Sequence, residues 1–278
     1  MEKYIDLHTH TTASDGSMEP AELVRYAKYR GLAAVAITDH DTVDGLDEAL
    51  AAGDEAGIEV IPGVEIGVDF DTEMHILGYF PCRTHSKIAD TLRALRKNRE
   101  ERNPKIVNKL NEMGFSITMD EVKKEAQGNV VGRPHIAKVL VKKGFVNSIE
   151  EAFEKYLANG RPAYFKKDKL SPRQGIQEIL QAGGIPVLAH PKHLHIDMAH
   201  LDTLLRELKM KGLKGIEAYY VDNTPIETGS FLRLAIKHDL IVTGGSDFHG
   251  RFKPNIEIGI GHGNLKVPYE LLENLRCR

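Results

Sequence analysis

Ala33-Ala34-Val35-Ala36-Ile37-Thr38-Asp39-His40-Asp41 is a short apolar strand that ends in a histidine held between two aspartates. A strand apolar on both faces belongs to a sheet covered by helices on both sides. Polar residues at its C-terminal end stand where α/β barrels keep their chemistry. The same composition recurs along the chain, with strand candidates at residues 4–7, 59–61, 75–79, 185–188, 215–218 and 240–243. His8, His10, His40, Glu65, His190 and Asp247 each fall at or just past the C-terminal end of such a strand. Between several strands lie amphipathic helices, the signature of a parallel α/β fold. Ser171-Pro172-Arg173-Gln174 reads as a capping box that opens one of them, and Gly183-Gly184 ends it. Leu201, Leu204, Leu205 and Leu208 repeat at helical spacing, so that helix buries one stripe. Seven strands fit a distorted (β/α) barrel, with an open doubly wound sheet as the alternative.

The alternation lapses over residues 94–163, which read as mostly helical with breaks at Pro104, Gly114, Gly128, Gly144 and Gly160. This predicts a helical insertion (94–163) into a barrel made of 1–93 and 164–278. Charge changes there too: from Arg93 to Lys167 there are 17 Lys and Arg against 9 Asp and Glu, within a chain of net charge −3. A basic insertion on an acidic body suits a polyanionic ligand.

The 41% hydrophobic and 28% charged content is that of a globular protein. No apolar run approaches the roughly 18 residues of a membrane span, and the N-terminus opens on a strand with no apolar signal region before it. Cys82 and Cys277 stand far apart without metal spacing. The expectation is a cytoplasmic protein with no disulfide framework, no membrane association and no obligate protein partner.

In His8-Thr9-His10 the two imidazoles share a face of the strand, an arrangement suited to a bound cation. Ser14-Asp15-Gly16, Thr38-Asp39-His40, Gly63-Val64-Glu65, Glu73-Met74-His75, Ala189-His190-Pro191 and Gly245-Ser246-Asp247-Phe248-His249 add further donors. Val64 and Ile66 flank Glu65 and predict a buried carboxylate, which needs a cation to stay ionised. The set comprises six histidines (His8, His10, His40, His75, His190, His249), Asp15, Asp247 and Glu65. Nine donors exceed one ion's needs and suit two or three divalent metal ions with a bridging carboxylate. Imidazole with carboxylate and no thiolate favours Mn²⁺, Fe²⁺ or Zn²⁺. Ions about 4 Å apart are typical of phosphoryl hydrolysis. His193 is a candidate to face the site, whereas His85, His195, His200, His238 and His262 read as surface or capping residues.

Five of these motifs, in order from the first strand to past Gly250, resemble those of the PHP (polymerase and histidinol phosphatase) phosphoesterases. The resemblance implies a distorted (β/α)7 barrel and a trinuclear site. His8, His10, Glu65 and Asp247 would hold one metal, Glu65, His75 and His190 a second, and Asp15, His40 and His249 a third. Within and just past the insertion, Gly132-Arg133-Pro134-His135 and Gly160-Arg161-Pro162 through Lys166-Lys167 are similar to the nucleoside-3′,5′-bisphosphate phosphatase branch, which overlaps with small 5′-to-3′ exoribonucleases. That implies Arg133, His135 and Lys166 or Lys167 as phosphate-binding residues, and an arginine fork matches phosphate independently of any likeness. The expected reaction is attack of metal-activated hydroxide on a nucleotide or short-RNA phosphate ester. Glu65 and Asp247 serve it at the metals, with Arg133 and His135 at the phosphate. Rival expectations are a sugar- or histidinol-phosphate phosphatase, a non-catalytic metal-binding module, and amidohydrolase chemistry, for which no strand-end lysine is found.

Overall fold

The computed structural model describes residues 2–126, 131–165 and 169–276, and the backbone only at 96 and 98–100. The chain forms two compact units, one of Met1–Leu92 with Lys169–Arg278, the other of Arg93–Asp168. The first unit carries β1 (Tyr4–Asp6), β2 (Ala34–Ile37), β3 (Glu59–Val68), β4 (Met74–Tyr79), β5 (Ile185–Leu188), β6 (Gly215–Tyr220), β7 (Ile241–Gly245) and β8 (Val267–Pro268). They form one sheet in the order β7-β6-β5-β4-β3-β2-β1-β8. The two ends approach each other: Leu7 N–H donates to Gly244 O at 3.0 Å, and Thr9 bridges Phe248 in parallel. The result is a nearly closed eight-stranded barrel surrounded by helices.

The seven expected strands are all present, and two features differ from expectation. First, the sheet is mixed: β4 runs antiparallel to both β3 and β5. Residues 69–73 between β3 and β4 are too few for the crossover of a dozen or more that a parallel pair requires, so a hairpin forms. Second, β8 adds an eighth strand, antiparallel to β1. At two residues it is too short to show a period in sequence. Glu65 also lies inside β3 rather than after it, because the strand runs on through Pro62-Gly63 to Val68.

The barrel interior is filled by Ile5, Leu7, Ala34, Ala36, Leu77, Tyr79, Val187 and Val267, all fully buried. Fully burying a large aliphatic side chain stabilises the fold by about 1.5–3 kcal/mol. Tyr79 satisfies its hydroxyl by donating to Leu7 O at 2.8 Å. Helices α1 (Pro20–Tyr29) and α2 (Leu46–Ala56) cover the first strands. Later in the chain, α7 (Pro172–Gln181) starts with the predicted capping box of Ser171 and Gln174, α8 (Met198–Met210) buries Leu201, Leu205 and Leu208, and α9 (Pro225–Lys237) follows β6.

Chain order places α3 (Ala89–Glu112), α4 (Met119–Ala126), α5 (Arg133–Lys142) and α6 (Ile149–Ala152) between β4 and α7. The second unit has its own core of Ile106, Val107, Leu110, Ile117, Val122, Ile136, Val139, Leu140 and Leu157. The break expected at Pro104 does not occur, since α3 runs through it. An interior proline costs about 3 kcal/mol, which burial of Ile106, Val107 and Leu110 just beyond offsets. Gly114, Gly144 and Gly160 do interrupt the helices, each with positive φ. Gly128 lies outside the described residues.

Cys82 is disulfide-bonded, which corrects the expectation of a chain without a bridge. Cys277 lies outside the described residues. No described helix is long and apolar enough to cross a membrane.

Candidate metal centre

Asp6, the last residue of β1, organises the exits of β1 and β7. Its fully buried carboxylate accepts from Ser246 N–H at 2.9 Å, Ser246 Oγ at 2.5 Å, Gly259 N–H at 2.7 Å and His8 N–H at 3.2 Å. His8 and His10 are thereby laid beside the segment that carries Asp247 and His249. The contact is so close that a Cβ on Gly245 would stand 2.4 Å from His8 N, which is why glycine occupies that position. Asp39 does the same for the neighbouring loop. It accepts from Thr11 N–H at 2.8 Å, Thr11 Oγ1 at 2.6 Å and Ser14 Oγ at 2.5 Å, which fixes the turn that carries Asp15.

Glu65 stands at the centre, 1% exposed. Its Oε2 lies 3.2 Å from His8 Nε2, 3.3 Å from His10 Nε2 and 3.2 Å from His40 Nδ1. Its Oε1 lies 2.8 Å from both His75 Nδ1 and His190 Nε2. Five imidazoles thus converge on one carboxylate, three on one oxygen and two on the other. Asp247 Oδ1 is 3.2 Å from His10 Nε2 and 3.4 Å from His249 Nδ1. Asp15 closes the far side, 3.3 Å from His249 Nε2 and 3.8 Å from His40 Nε2. All nine sequence-predicted donors therefore meet in one cluster, within the first unit.

The cluster fits divalent metal. Three sets of donor atoms each lie within 4.8 Å of one another: His10, Asp15, His40 and His249; His8, His10 and Glu65; and His40, Glu65 and His75. Neither buried ring nitrogen of His10 makes a well-aligned hydrogen bond, although carboxylates stand beside Nε2, and the buried His190 Nδ1 has none. Buried polar atoms are seldom left so. Imidazole ring centroids come as close as 4.1 Å (His10 and His249), a crowding that shared cations or carboxylates make favourable.

Electrostatics agree with a cation-binding set. Burial alone would raise the Glu65 carboxyl, but the imidazoles of His40, His8 and His75 overcome it and hold it well below the usual carboxylate range. Asp247 is also held well down, by Lys253 and His8 against its burial. Asp15 follows the same pattern, against burial, through His40 and His249. Desolvation pushes His40 down to about 4, which leaves its nitrogens free to ligate at neutral pH.

Several residues outside the motifs complete the site. Glu217 on β6 is fully buried, with Oε1 3.0 Å from His8 Nδ1 and Oε2 accepting from His190 N–H at 2.8 Å. Tyr220 Oη and Lys253 Nζ donate to Asp247 Oδ2 at 2.9 and 2.7 Å. The alternation of β6 puts Glu217 on one face between Ile216 and Ala218, a signal available in the sequence. Lys253 sits in a loop and leaves none.

His193 lies against the cluster, its ring 4.6 Å from His190 and 5.3 Å from Tyr220. His200 joins Asp197 at the start of α8 and His262 pairs with Asp222, both exposed, whereas His238 pairs with Asp202 with its side chain only 10% exposed. His85 is buried beside Asp47 and so departs from the expected surface role. In the second unit, Arg133 Nη1 donates to Leu157 O at 2.8 Å and its guanidinium lies over the Phe153 and Tyr164 rings. His135 Nδ1 accepts from Gly132 N–H at 3.0 Å and so caps α5. Lys166 and Lys167 lie outside the described residues.

Fold and cluster together define a PHP-type metal-binding barrel, and the sequence profile of the PHP domain matches residues 6–184. The chain belongs to the PHP domain family. It is 37% identical to a 5′-3′ exoribonuclease of Haemophilus influenzae, over 90% of this chain and 91% of that one. It is 31% identical to a 3′,5′-nucleoside bisphosphate phosphatase of Chromobacterium violaceum, over 92% and 90%. Among solved structures, a Bifidobacterium adolescentis protein provisionally assigned as a metal-dependent phosphoesterase superposes with TM-score 0.80. It is 32% identical and covers 98% of this chain and 95% of its own.

Proposed function

We propose that this protein is a metal-dependent phosphoesterase that hydrolyses phosphate esters of nucleotides, with nucleoside 3′,5′-bisphosphates and short oligoribonucleotides as its substrates. The observation that carries the reading is Glu65, whose two oxygens are shared among five imidazoles at 2.8–3.3 Å. A carboxylate so placed suits a bridge between ions, and the nine donors suit a trinuclear site of Mn²⁺, Fe²⁺ or Zn²⁺. Divalent ions held there supply Lewis acidity to the phosphoryl group and lower the pKa of the attacking water.

The chain's own residues do the rest. His8, His10, Glu65 and Asp247 present one set of donors, His75 and His190 a second around the other Glu65 oxygen, and Asp15, His40 and His249 a third. His193, partly buried against His190, stands where it can donate to a phosphoryl oxygen. Arg133 and His135 supply phosphate recognition from the insertion, with Lys166 and Lys167 just past its end. The names of the two relatives and the basic character of residues 93–167 favour a nucleotide over a sugar phosphate.

The test is a phosphate-release screen with added Mn²⁺, over nucleoside 3′,5′-bisphosphates, 5′-phosphorylated oligoribonucleotides, and sugar and histidinol phosphates. The nucleotides are expected to show the highest kcat/KM. A sugar or histidinol phosphate preferred over every nucleotide would overturn the substrate assignment, and no release from any ester would overturn the enzymatic one.

A further inference from the structure

We propose that Glu217 is a positioning residue that selects the ligating nitrogen of His8, holds the backbone of His190, and so sets the metal affinity of the centre. The inference rests on the reading of the cluster as a metal site. An ionised carboxylate only accepts hydrogen bonds. With Glu217 Oε1 3.0 Å from His8 Nδ1, the proton of a neutral His8 belongs on Nδ1. The lone pair then sits on Nε2, the nitrogen that faces Glu65 Oε2 at 3.2 Å. Such outer carboxylates fix the tautomer and orientation of ligating histidines.

The second oxygen acts on another strand. Glu217 Oε2 accepts from His190 N–H at 2.8 Å, and His190 has φ 24° and ψ 66°, outside the regions non-glycine residues favour. A backbone in such a conformation persists only where its surroundings over-determine it. Here the determinants include the Glu217 carboxylate, the ring of Pro191 and the His193 N–H, which donates to His190 O at 2.9 Å. The twist directs His190 Nε2 to Glu65 Oε1 at 2.8 Å. One fully buried side chain therefore aligns donors that follow β1 and β5, on both oxygens of Glu65.

Both partners of Glu217 are donors, which makes the amide variant informative. In Glu217→Gln a single amide oxygen is available, so the NH2 group must face either His8 Nδ1 or His190 N–H. If it faces His8, the imidazole accepts on Nδ1 and carries its proton on Nε2, the nitrogen needed for metal. If it faces His190, two donors oppose each other and the strained backbone relaxes. Glu217→Asp keeps both acceptor oxygens on a shorter arm.

The experiment is calorimetric titration of Mn²⁺ into metal-stripped wild type, Glu217→Gln and Glu217→Asp, with thermal melts of each metal-stripped protein by circular dichroism. The expected result is a folded Glu217→Gln protein whose Mn²⁺ affinity is about 10–100-fold weaker, with Glu217→Asp between it and wild type. Wild-type affinity in Glu217→Gln would overturn the inference. So would equal loss in both variants, or failure of both to fold, each of which would assign Glu217 to packing. Absence of Mn²⁺ binding by wild type is a separate outcome that overturns the metal reading beneath it.

Discussion

Lys253 Nζ lies 2.7 Å from Asp247 Oδ2, and the Tyr220 hydroxyl donates to the same oxygen, so Oδ1 alone is turned toward His10 and His249. Two donors on one oxygen fix which of the pair is free to ligate. A hydrogen bond to a charged group contributes about 1.5–3 kcal/mol. The Lys253 side chain is 37% exposed, and solvent screens part of that. Lys253→Met is therefore expected to lower kcat/KM for phosphate release by roughly tenfold. Tyr220→Phe should have a smaller effect, because Lys253 still holds Oδ2. Steady-state kinetics on the two variants measure both, and the larger loss in Tyr220→Phe would reverse the assignment.

Glu65→Gln keeps the side-chain volume but removes the charge that the surrounding imidazoles face. Loss of a charge-bearing group that reaches both sets of donors is expected to cut turnover by more than about a thousandfold. Bound metal should fall in parallel. Elemental analysis of protein expressed with added Mn²⁺ reads the second effect directly. Full metal content in the variant would mean Glu65 is dispensable to binding.

Arg133→Ala tests the insertion. If Arg133 contacts phosphate, kcat/KM for a nucleoside 3′,5′-bisphosphate should fall tenfold to a hundredfold, on the order of a lost charged partner. A small chromogenic phosphate should be affected much less. Because Arg133 also donates to Leu157 O, circular dichroism must first show the helical content unchanged. Equal losses on both substrates would place Arg133 in the fold of its own unit rather than at the substrate.

Metal removal should expose a pH dependence that the loaded protein lacks. The depressed carboxyls of Glu65 and Asp247 contribute stability above their unfolded values near 4. That contribution is lost as pH falls through their lower folded values. His10 moves the other way. Burial lowers it, but the carboxylates of Asp247 and Glu65 raise it to about 9 from an ordinary 6.5. Its contribution is present below 6.5 and is lost as pH rises through about 9. His40, pushed down to about 4, works the other way and loses its contribution as pH falls below 6.5, so the metal-free protein should melt highest near pH 6.5 and lower toward both pH 4 and pH 9. Mn²⁺ at about 100 times its dissociation constant adds about 2.7 kcal/mol, some 5–10 °C in Tm for a chain of this size. Scanning calorimetry with and without chelator checks both, and a Tm that rises from pH 6.5 to 9 in the metal-free protein would contradict the sign.

What the sequence determined by itself was local. Runs of three to five residues marked seven strands, and the residue types at their ends marked His8, His10, His40, His190 and Asp247 as donors, because strand period and burial are written in neighbouring positions. Which side chains meet was decided by tertiary structure. His190 and Glu65 are 125 positions apart, and His8 and Glu217 are 209 apart. Their contact depends on strand order and on closure of β1 against β7, which no local pattern encodes. The same cause hid Lys253 and the two-residue β8, whose places are set by the barrel they join. A carboxylate such as Glu217 reads in sequence as one alternate residue of an apolar strand. Only the closed barrel, with His8 on one side and the His190 backbone on the other, gives both of its oxygens a donor.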